Sequence, residues 1–118
     1  MKEKRNMRVF IAAPYWSDHE SIREENVDRV IAIANHLIEN GIDPFIPHLF
    51  HYQNMVYKQP EEVWKRIDFN YLLVCDALLR VEGSSKGADD EMRFARKKFI
   101  PIFNSLNDVI KYRDYRRF

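Results

Sequence analysis

The sequence has little of several features that would assign it to a specialised class. It has one cysteine, so no intrachain disulfide can form, and only three glycines and five prolines among 118 residues. Its apolar runs are far shorter than the ~20 residues of a membrane-spanning helix. No apolar segment of signal-peptide length follows the first charges. We therefore expect a globular cytoplasmic protein that does not bind membranes.

The chain also lacks an excess of charge of either sign. Lys and Arg total 19 and Asp and Glu total 18, a net charge of +1. Such a chain has no overall field to attract a nucleic acid polymer, so a small-molecule ligand is expected. The length predicts one domain, 1–118, with a core of about 7–106 and a basic C-terminal tail, 107–118. Basic residues near both ends are either solvated or contact a partner: Lys2, Lys4, Arg5, Arg8, Lys111, Arg113, Arg116 and Arg117.

Short apolar runs alternate with helical patterns along the chain. Strands are predicted at 7–13, 42–47, 77–81 and 100–103. Helices are predicted from the capping boxes at Ser17 and Ser21 to Asn40, from Pro60 to Tyr71, at 85–98 and at 106–115, with 48–59 as a loop. Nearly wholly apolar strands favour a parallel sheet covered on both faces. The predicted fold is α/β, a flavodoxin-like three-layer sandwich with a mainly parallel sheet of four to five strands.

Ligands of such sheets bind beyond the carboxyl ends of the strands. Three segments meet there: 14–17, 48–52 and 82–91. The last segment contains Glu91, predicted in the first turn of a helix and on the border of an apolar stripe. The stripe consists of Ala88, Met92, Ala95 and Phe99. Glu91 is either a partly desolvated catalytic acid or an acid that favours the helix dipole.

Asp68 is the second acidic candidate. It follows Trp64 by one turn on the predicted buried face of the preceding helix, formed by Val63, Trp64, Ile67 and Tyr71. A buried carboxylate is costly unless it faces a cleft or has a partner, so Asp68 either joins Glu91 or pairs with Lys65 or caps a helix. Two carboxylates that converge on one cleft suit the cleavage of a glycosidic bond.

The remaining candidates are polar and aromatic residues around these acids. Ser84, Ser85 and Gly87 form either an anion site at a helix N-terminus or a helix cap. His48 and His51 are too few ligands for zinc, so no metal is expected, and they would line the pocket with aromatic neighbours. Cys75 is expected to be a small buried residue.

Several of these residues carry a family resemblance. VFIAAPY in the first strand, Asp68, the strand start at Cys75 and the S-x-G-x-x-x-E run from Ser85 to Glu91 resemble the nucleoside 2-deoxyribosyltransferase superfamily. The resemblance is closest to small deoxyribosyltransferase-like phage and bacterial proteins. It implies that Glu91 attacks C1′ of a deoxyribosyl group and that Asp68 handles the substrate, without metal or organic cofactor, in a homodimer or higher homo-oligomer.

The resemblance also indicates the ligand. In the related deoxynucleoside 5′-monophosphate N-glycosidases, the residue six before the glutamate is a phosphate-site serine, which matches Ser85. Tyr15 would match the tyrosine near the transferases' nucleophile. The first loop departs from the glycosidases' serine- and glycine-rich pattern, and Asp89 and Asp90 bring negative charge close to Glu91.

The resulting expectation is an N-glycosidase or deoxyribosyltransferase acting on a nucleoside or nucleoside 5′-monophosphate. The expected catalytic residues are Glu91, Asp68 and Tyr15. The expected substrate-binding residues are Pro14, Trp16, His48, Trp64, Ser84, Ser85 and Gly87. A non-catalytic nucleotide-binding or sensing module with the same fold is the alternative.

Overall fold

The computed structural model describes residues 5–116. The strands are β1 (Arg8–Ala12), β2 (Asp43–Phe45), β3 (Ala77–Arg80) and β4 (Ile102–Phe103). The helices are α1 (Glu20–Glu39), α2 (Phe50–Val56), α3 (Glu61–Leu72), α4 (Lys86–Lys97) and α5 (Leu106–Arg116), with a 3-10 turn at Pro47–Leu49. All strand pairs are parallel, in the order β2-β1-β3-β4. The predicted α/β class and three-layer, flavodoxin-like arrangement are confirmed.

The two faces of the sheet form two separate hydrophobic clusters because successive side chains of a strand point to opposite faces. Val9, Ile11 and Leu79 pack in one cluster with Ala34 and Leu37 of α1 and with Val109 of α5. Phe10 and Leu78 pack in the other cluster with Leu72 of α3 and with Ala88 and Ala95 of α4. Helices therefore cover the sheet on both sides.

The neighbouring strands β1 and β3 lie at the centre of the sheet, and chain connections leave in opposite directions at their carboxyl ends. This is the crevice in which open α/β sheets bind ligands. The loops after β1 and β3 approach each other closely, since a Cβ on Gly83 would lie 2.7 Å from Cγ of Pro14. Gly83 also has a φ of +124°, which side chains rarely adopt. A glycine is therefore needed where the two loops meet.

The segment 48–59, predicted as a loop, is mostly helical, so that prediction was wrong. The 3-10 turn and α2 run from Pro47 to Val56. Neither glycine nor proline interrupts the chain between Pro47 and Pro60, and Pro47 has the fixed φ that suits a helical start. Buried His51 and partly buried Phe50 then hold the segment against the rest of the domain.

The other elements agree with the predictions except at particular residues. α1 begins at Glu20 without a side-chain cap, so neither capping box forms, and Ile31 and Ile38 are partly exposed. Pro60 precedes α3 rather than beginning it, and Leu72 replaces half-exposed Tyr71 on the buried face. Phe99 was wrongly placed in the apolar stripe of α4. It follows the helix end with a φ of +58° and is 94% exposed, because the left-handed turn directs it away from the stripe.

Basic residues near the chain ends make specific contacts. Arg5 forms an ion pair with Asp76, with nitrogen–oxygen distances of 2.6 and 2.7 Å, and Arg113 donates to the carbonyl of Asn40. Lys2, Lys4 and Arg117 lie outside the described residues. Within 5–116, no helix combines the length and apolar character needed to cross a membrane.

Candidate active site

A cleft of about 720 Å³ opens at the carboxyl ends of β1 and β3. Helices α2, α3 and α4 and the loop after β1 form its walls. Its lining residues are Ala13, Tyr15, Trp16, Pro47, His48, Phe50, His51, Asn54, Glu61, Trp64, Lys65, Asp68, Phe69, Ser84, Ser85, Lys86, Gly87, Ala88, Asp90 and Glu91. The volume is in the range of small-molecule sites. All the predicted site residues except Pro14 line this cleft.

Glu91 lies in the second turn of α4, not in the predicted first turn, because the helix begins only at Lys86 after the Ser85 cap. It is partly buried. It makes no hydrogen bond or ion pair with any other residue in the described part of the chain. Burial raises the pKa of Glu91 well above its usual value, and the nearby charge of Asp68 raises it further. Arg80 and Lys65 oppose this rise, while Asp90 adds to it. Glu91 is thus an unpaired acid whose proton is held tightly.

Asp68 reaches the same cleft from α3. Its Oδ1 atom is buried and has no hydrogen-bond partner within residues 5–116. Burial raises the pKa of Asp68 to about 7. The predicted alternatives, a salt bridge to Lys65 or a helix cap, do not form, because Lys65 pairs with Asp90 instead. Asp68 and Glu91 therefore form a pair of coupled carboxyl groups from two helices.

The two acids that precede Glu91 both form ion pairs. Asp90 accepts hydrogen bonds from Lys65, at 2.9 Å, and from Arg93. The hydrogen bond from Lys65 is the main reason that the pKa of Asp90 is lowered. Asp89 pairs with Arg80 at 3.0 Å, and Arg80 also donates to the carbonyl of Gly83. These ion pairs reduce the repulsion that the two acids would exert on an anionic ligand.

Ser85 is the N-cap of α4. Its hydroxyl oxygen accepts a hydrogen bond from the backbone N–H of Ala88 at 3.1 Å, which confirms the capping interpretation. The hydroxyl hydrogen stays available as a donor. Ser84, Lys86 and Gly87 surround the same helix end and line the cleft. The first turn of α4 thus presents hydroxyl groups, a lysine and the positive end of the helix dipole to the cleft.

Tyr15 packs against two histidines that line the cleft with it. Its hydroxyl lies 2.6 Å from Nδ1 of His51, and its ring contacts both imidazoles edge-on. Nε2 of His48 donates to the carbonyl of Pro14 at 3.1 Å, so that nitrogen carries the hydrogen. Burial lowers the pKa of His48 and raises that of Tyr15. Pro14 therefore supports the cleft through its backbone rather than lining it.

An aromatic wall, formed by Phe50 and Trp64, lines the same cleft as the carboxyl pair. The two rings stack with centroids 5.0 Å apart and planes inclined by 22°. The indole Nε1 of Trp64 donates to Oδ1 of Asn54 at 2.9 Å. Trp16 lies at the rim, 72% exposed, with the Arg23 guanidinium over its ring. Asn54 was not predicted as a site residue, because its segment was assigned to a loop and a single asparagine carries no spacing signal.

Comparison with known families and structures places this cleft in context. A family model described as "Domain of unknown function (DUF7768)" matches residues 7–105. The chain belongs to the DUF7768 family. The DUF7768 chain has the fold of a 2-deoxyribosyltransferase from the psychrotolerant bacterium Bacillus psychrosaccharolyticus, with a TM-score of 0.60 and 14% identity over 87% of this chain and 90% of that one. No curated protein sequence matches it.

The cleft of this DUF7768 domain can support acid–base or nucleophilic chemistry through its carboxyl pair. Two interacting acids release their protons in two separate steps, so a form with one proton exists between them. That form offers one carboxylate oxygen and one acidic hydrogen to a bound molecule. Within residues 5–116, no group of three or more His, Cys, Asp or Glu side chains is arranged to hold a metal ion.

Proposed function

We propose that this chain cleaves the N-glycosidic bond of a nucleoside or nucleoside 5′-monophosphate, with Glu91 as the nucleophile. The observation that carries the proposal is the coupled pair of Glu91 and Asp68, which share a cleft with stacked aromatic rings. The fold shared with a 2-deoxyribosyltransferase supports a nucleoside ligand. The carboxyl pair supports bond cleavage through an oxocarbenium-like transition state.

In the proposed reaction, the reactive form of the pair holds one proton, on Asp68. It is the minor of the two singly protonated forms, because the charge of Asp68 raises the pKa of Glu91 and so favours the proton on Glu91. A carboxylate oxygen of Glu91 attacks C1′ of the sugar, and the C1′–N bond breaks. The base leaves with the bonding electrons and takes the proton of Asp68. The C1′–O bond of the resulting sugar ester is then broken by attack of water or of a second base, which gives up a proton to Asp68 and releases the Glu91 carboxylate. The first acceptor makes the protein a hydrolase, and the second makes it a transferase.

The N-terminal turn of α4 is the proposed site for the 5′ end of the substrate. Ser84, Ser85 and the backbone amides near Gly87 would bind a hydroxyl or phosphate group there, beside Lys86. The ion pairs of Asp89 and Asp90 remove the main objection to an anion at this position. We therefore favour a nucleoside 5′-monophosphate over a free nucleoside.

In the rest of the cleft, the base and sugar would contact Tyr15, His48, Trp16 and Trp64.

A homodimer or higher homo-oligomer and a cytoplasmic location stay predictions. Sedimentation equilibrium of the purified chain would test the first of these. A monomer that retains full activity would contradict an oligomeric requirement.

A non-catalytic nucleotide-binding module is the second candidate, favoured by one observation. Burial and the charge of Asp68 raise the pKa of Glu91 and so favour its protonated form, which donates a hydrogen bond instead of attacking. A binder of this kind would be stabilised by ligand without turnover.

One experiment separates the two candidates. The protein is incubated with ribo- and deoxyribonucleosides and their 5′-monophosphates, free base is followed by chromatography, and melting is followed in parallel. We expect base release by the wild type and its loss in Glu91→Gln, with Glu25→Gln, an exposed change on α1, as the control. Stabilisation by ligand without base release would favour the binder, and equal release by Glu91→Gln would overturn the proposed nucleophile.

A further inference from the structure

Asn54 of α2 is held in one orientation by two donors. Its Oδ1 atom accepts the backbone N–H of Gln59 and the indole Nε1–H of Trp64, both at 2.9 Å. Both partners can only donate, so the atom that they contact is the oxygen and not the amide nitrogen. The two bonds occupy both lone pairs of the oxygen. The side chain therefore has no acceptor capacity left for a ligand.

The amide nitrogen of Asn54 is the group that stays available. Its Nδ2 atom has no hydrogen-bond partner in the described part of the chain, and it is not among the buried atoms that lack one. Asn54 is partly buried and lines the cleft beside Phe50 and Trp64. A ring that stacks on the aromatic wall would bring its edge to the Asn54 side chain. Asn54 thus presents hydrogen-bond donors and no acceptor to such an edge.

We infer that Asn54 determines base specificity by donating a hydrogen bond to a ring carbonyl, so that the cleft prefers a keto base to its amino counterpart. This inference rests on the proposed function, since it assumes a base-bearing ligand. A carbonyl oxygen accepts the amide N–H, whereas an exocyclic amino group at the same place would meet a second donor and stay unpaired. Burying that amino group without an acceptor costs more binding free energy than a hydrogen bond of poor geometry. Uracil would bind better than cytosine, and hypoxanthine better than adenine.

The test measures binding of these four free bases by calorimetry, which needs no bond cleavage. The key variant is Asn54→Asp, which keeps an oxygen for Gln59 and Trp64 and replaces the amide donors with an acceptor. Gln53→Glu is the matched control, because it makes the same charge change at an exposed neighbour that does not line the cleft. We expect the keto-to-amino affinity ratio to be about tenfold in the wild type and in Gln53→Glu. In Asn54→Asp it should fall about tenfold or more.

A second measurement uses the wild-type protein alone. Nuclear magnetic resonance follows the side-chain amide of Asn54, assigned by its disappearance in Asn54→Asp, while uracil or hypoxanthine is added. We expect its proton resonances to shift on binding. The inference is overturned if none of the four bases binds, if the affinity ratio is the same in Asn54→Asp as in Gln53→Glu, or if the amide resonance stays fixed while base binds. Failure of the proposed function differs, because base would bind as inferred and no nucleoside or nucleotide would be cleaved.

Discussion

The carboxyl groups of Asp68 and Glu91 reach one cleft from adjacent helices, and the charge of Asp68 raises the pKa of Glu91. Among residues 5–116, neither group is paired with a cation, although Lys65 and Arg80 are close enough to lower the pKa of Glu91. The nearby cations are instead bound to Asp90 and Asp89. Two carboxyl groups with raised pKa values in a cleft are typical of functional sites. Such an arrangement lowers the stability of the fold, so structure alone gives no reason for it.

The first prediction concerns stability and pH. The pKa of Asp68 is about 7 in the folded chain and 3.8 as a free group, so the folded state binds the proton more tightly. This contribution to stability is complete below about pH 4 and is lost as the pH rises to about 7. Asp68→Asn removes the cost of ionising this group. The free energy of unfolding of the variant minus that of the wild type should therefore be higher at pH 8 than at pH 4, by roughly 2–4 kcal/mol.

Urea denaturation of both proteins at pH 4 and pH 8 measures this difference. Asp28→Asn, an exposed change on α1, is the control and should leave the pH dependence as it is in the wild type. A stability profile for Asp68→Asn that runs parallel to that of the wild type would contradict the raised pKa.

The second prediction concerns the pH dependence of base release. Activity needs one proton on the pair, so the rate should rise as the pair loses its first proton, near pH 7, and fall as it loses its second proton at higher pH. In Asp68→Asn, Glu91 is the one member of the pair that still ionises, so the falling limb should disappear. Rates under saturating substrate from pH 4 to pH 10 test this change. A falling limb that persists in Asp68→Asn would show that the proton of Asp68 is not required.

The third prediction compares two glycines. Gly83→Ala places a Cβ 2.7 Å from Pro14 at a positive φ, and we expect it to destabilise the chain by about 1–3 kcal/mol. In Gly87→Ala the new Cβ meets nothing nearer than Ser85 Oγ at 4.0 Å, within a helix, so stability should rise by roughly 0.5 kcal/mol. Denaturant midpoints of the two variants measure the contrast. Equal effects would mean that the loops after β1 and β3 are not in contact.

The fourth prediction separates the two roles of Ser85. Ser85→Ala removes the N-cap of α4 and should cost about 1 kcal/mol of stability, while Ser84→Ala should cost little, since Ser84 is exposed. Ser85→Asp keeps a cap and adds a negative charge. It should therefore retain stability while binding a 5′-monophosphate more weakly relative to the nucleoside. Thermal melts and calorimetry give both quantities, and an unchanged preference between the two ligands would exclude a phosphate site at Ser85.

The elements that carry strong local signals were predictable from the sequence. The apolar runs of β1 and β3 and the Ser85 cap located the central strands and α4 to within about a residue. α2 was not predicted, because its residues carry no strong helix signal and several of them are aromatic. Phe99 fits the helical spacing of α4, and only the left-handed backbone after the helix takes it out of the stripe.

The site was predictable in part for a related reason. The acid at Glu91 and its position at a strand end follow from pattern, but its closeness to Asp68 depends on how α3 and α4 pack. The ion pairs from Lys65 to Asp90 and from Arg80 to Asp89 also depend on that packing. Asn54 could not be recognised because its role comes from the two donors that hold it, and one of them lies ten residues away.

The most direct test of the central claim is a search for the sugar ester on Glu91. The protein is mixed with a nucleotide that it cleaves, and the reaction is quenched with acid at short times. The products are analysed by intact-mass spectrometry and peptide mapping. We predict an added mass equal to the sugar phosphate less water, on the peptide that contains Glu91, and its absence in Glu91→Gln. A sugar adduct on another residue, or base release by Glu91→Gln at the wild-type rate, would contradict the claim.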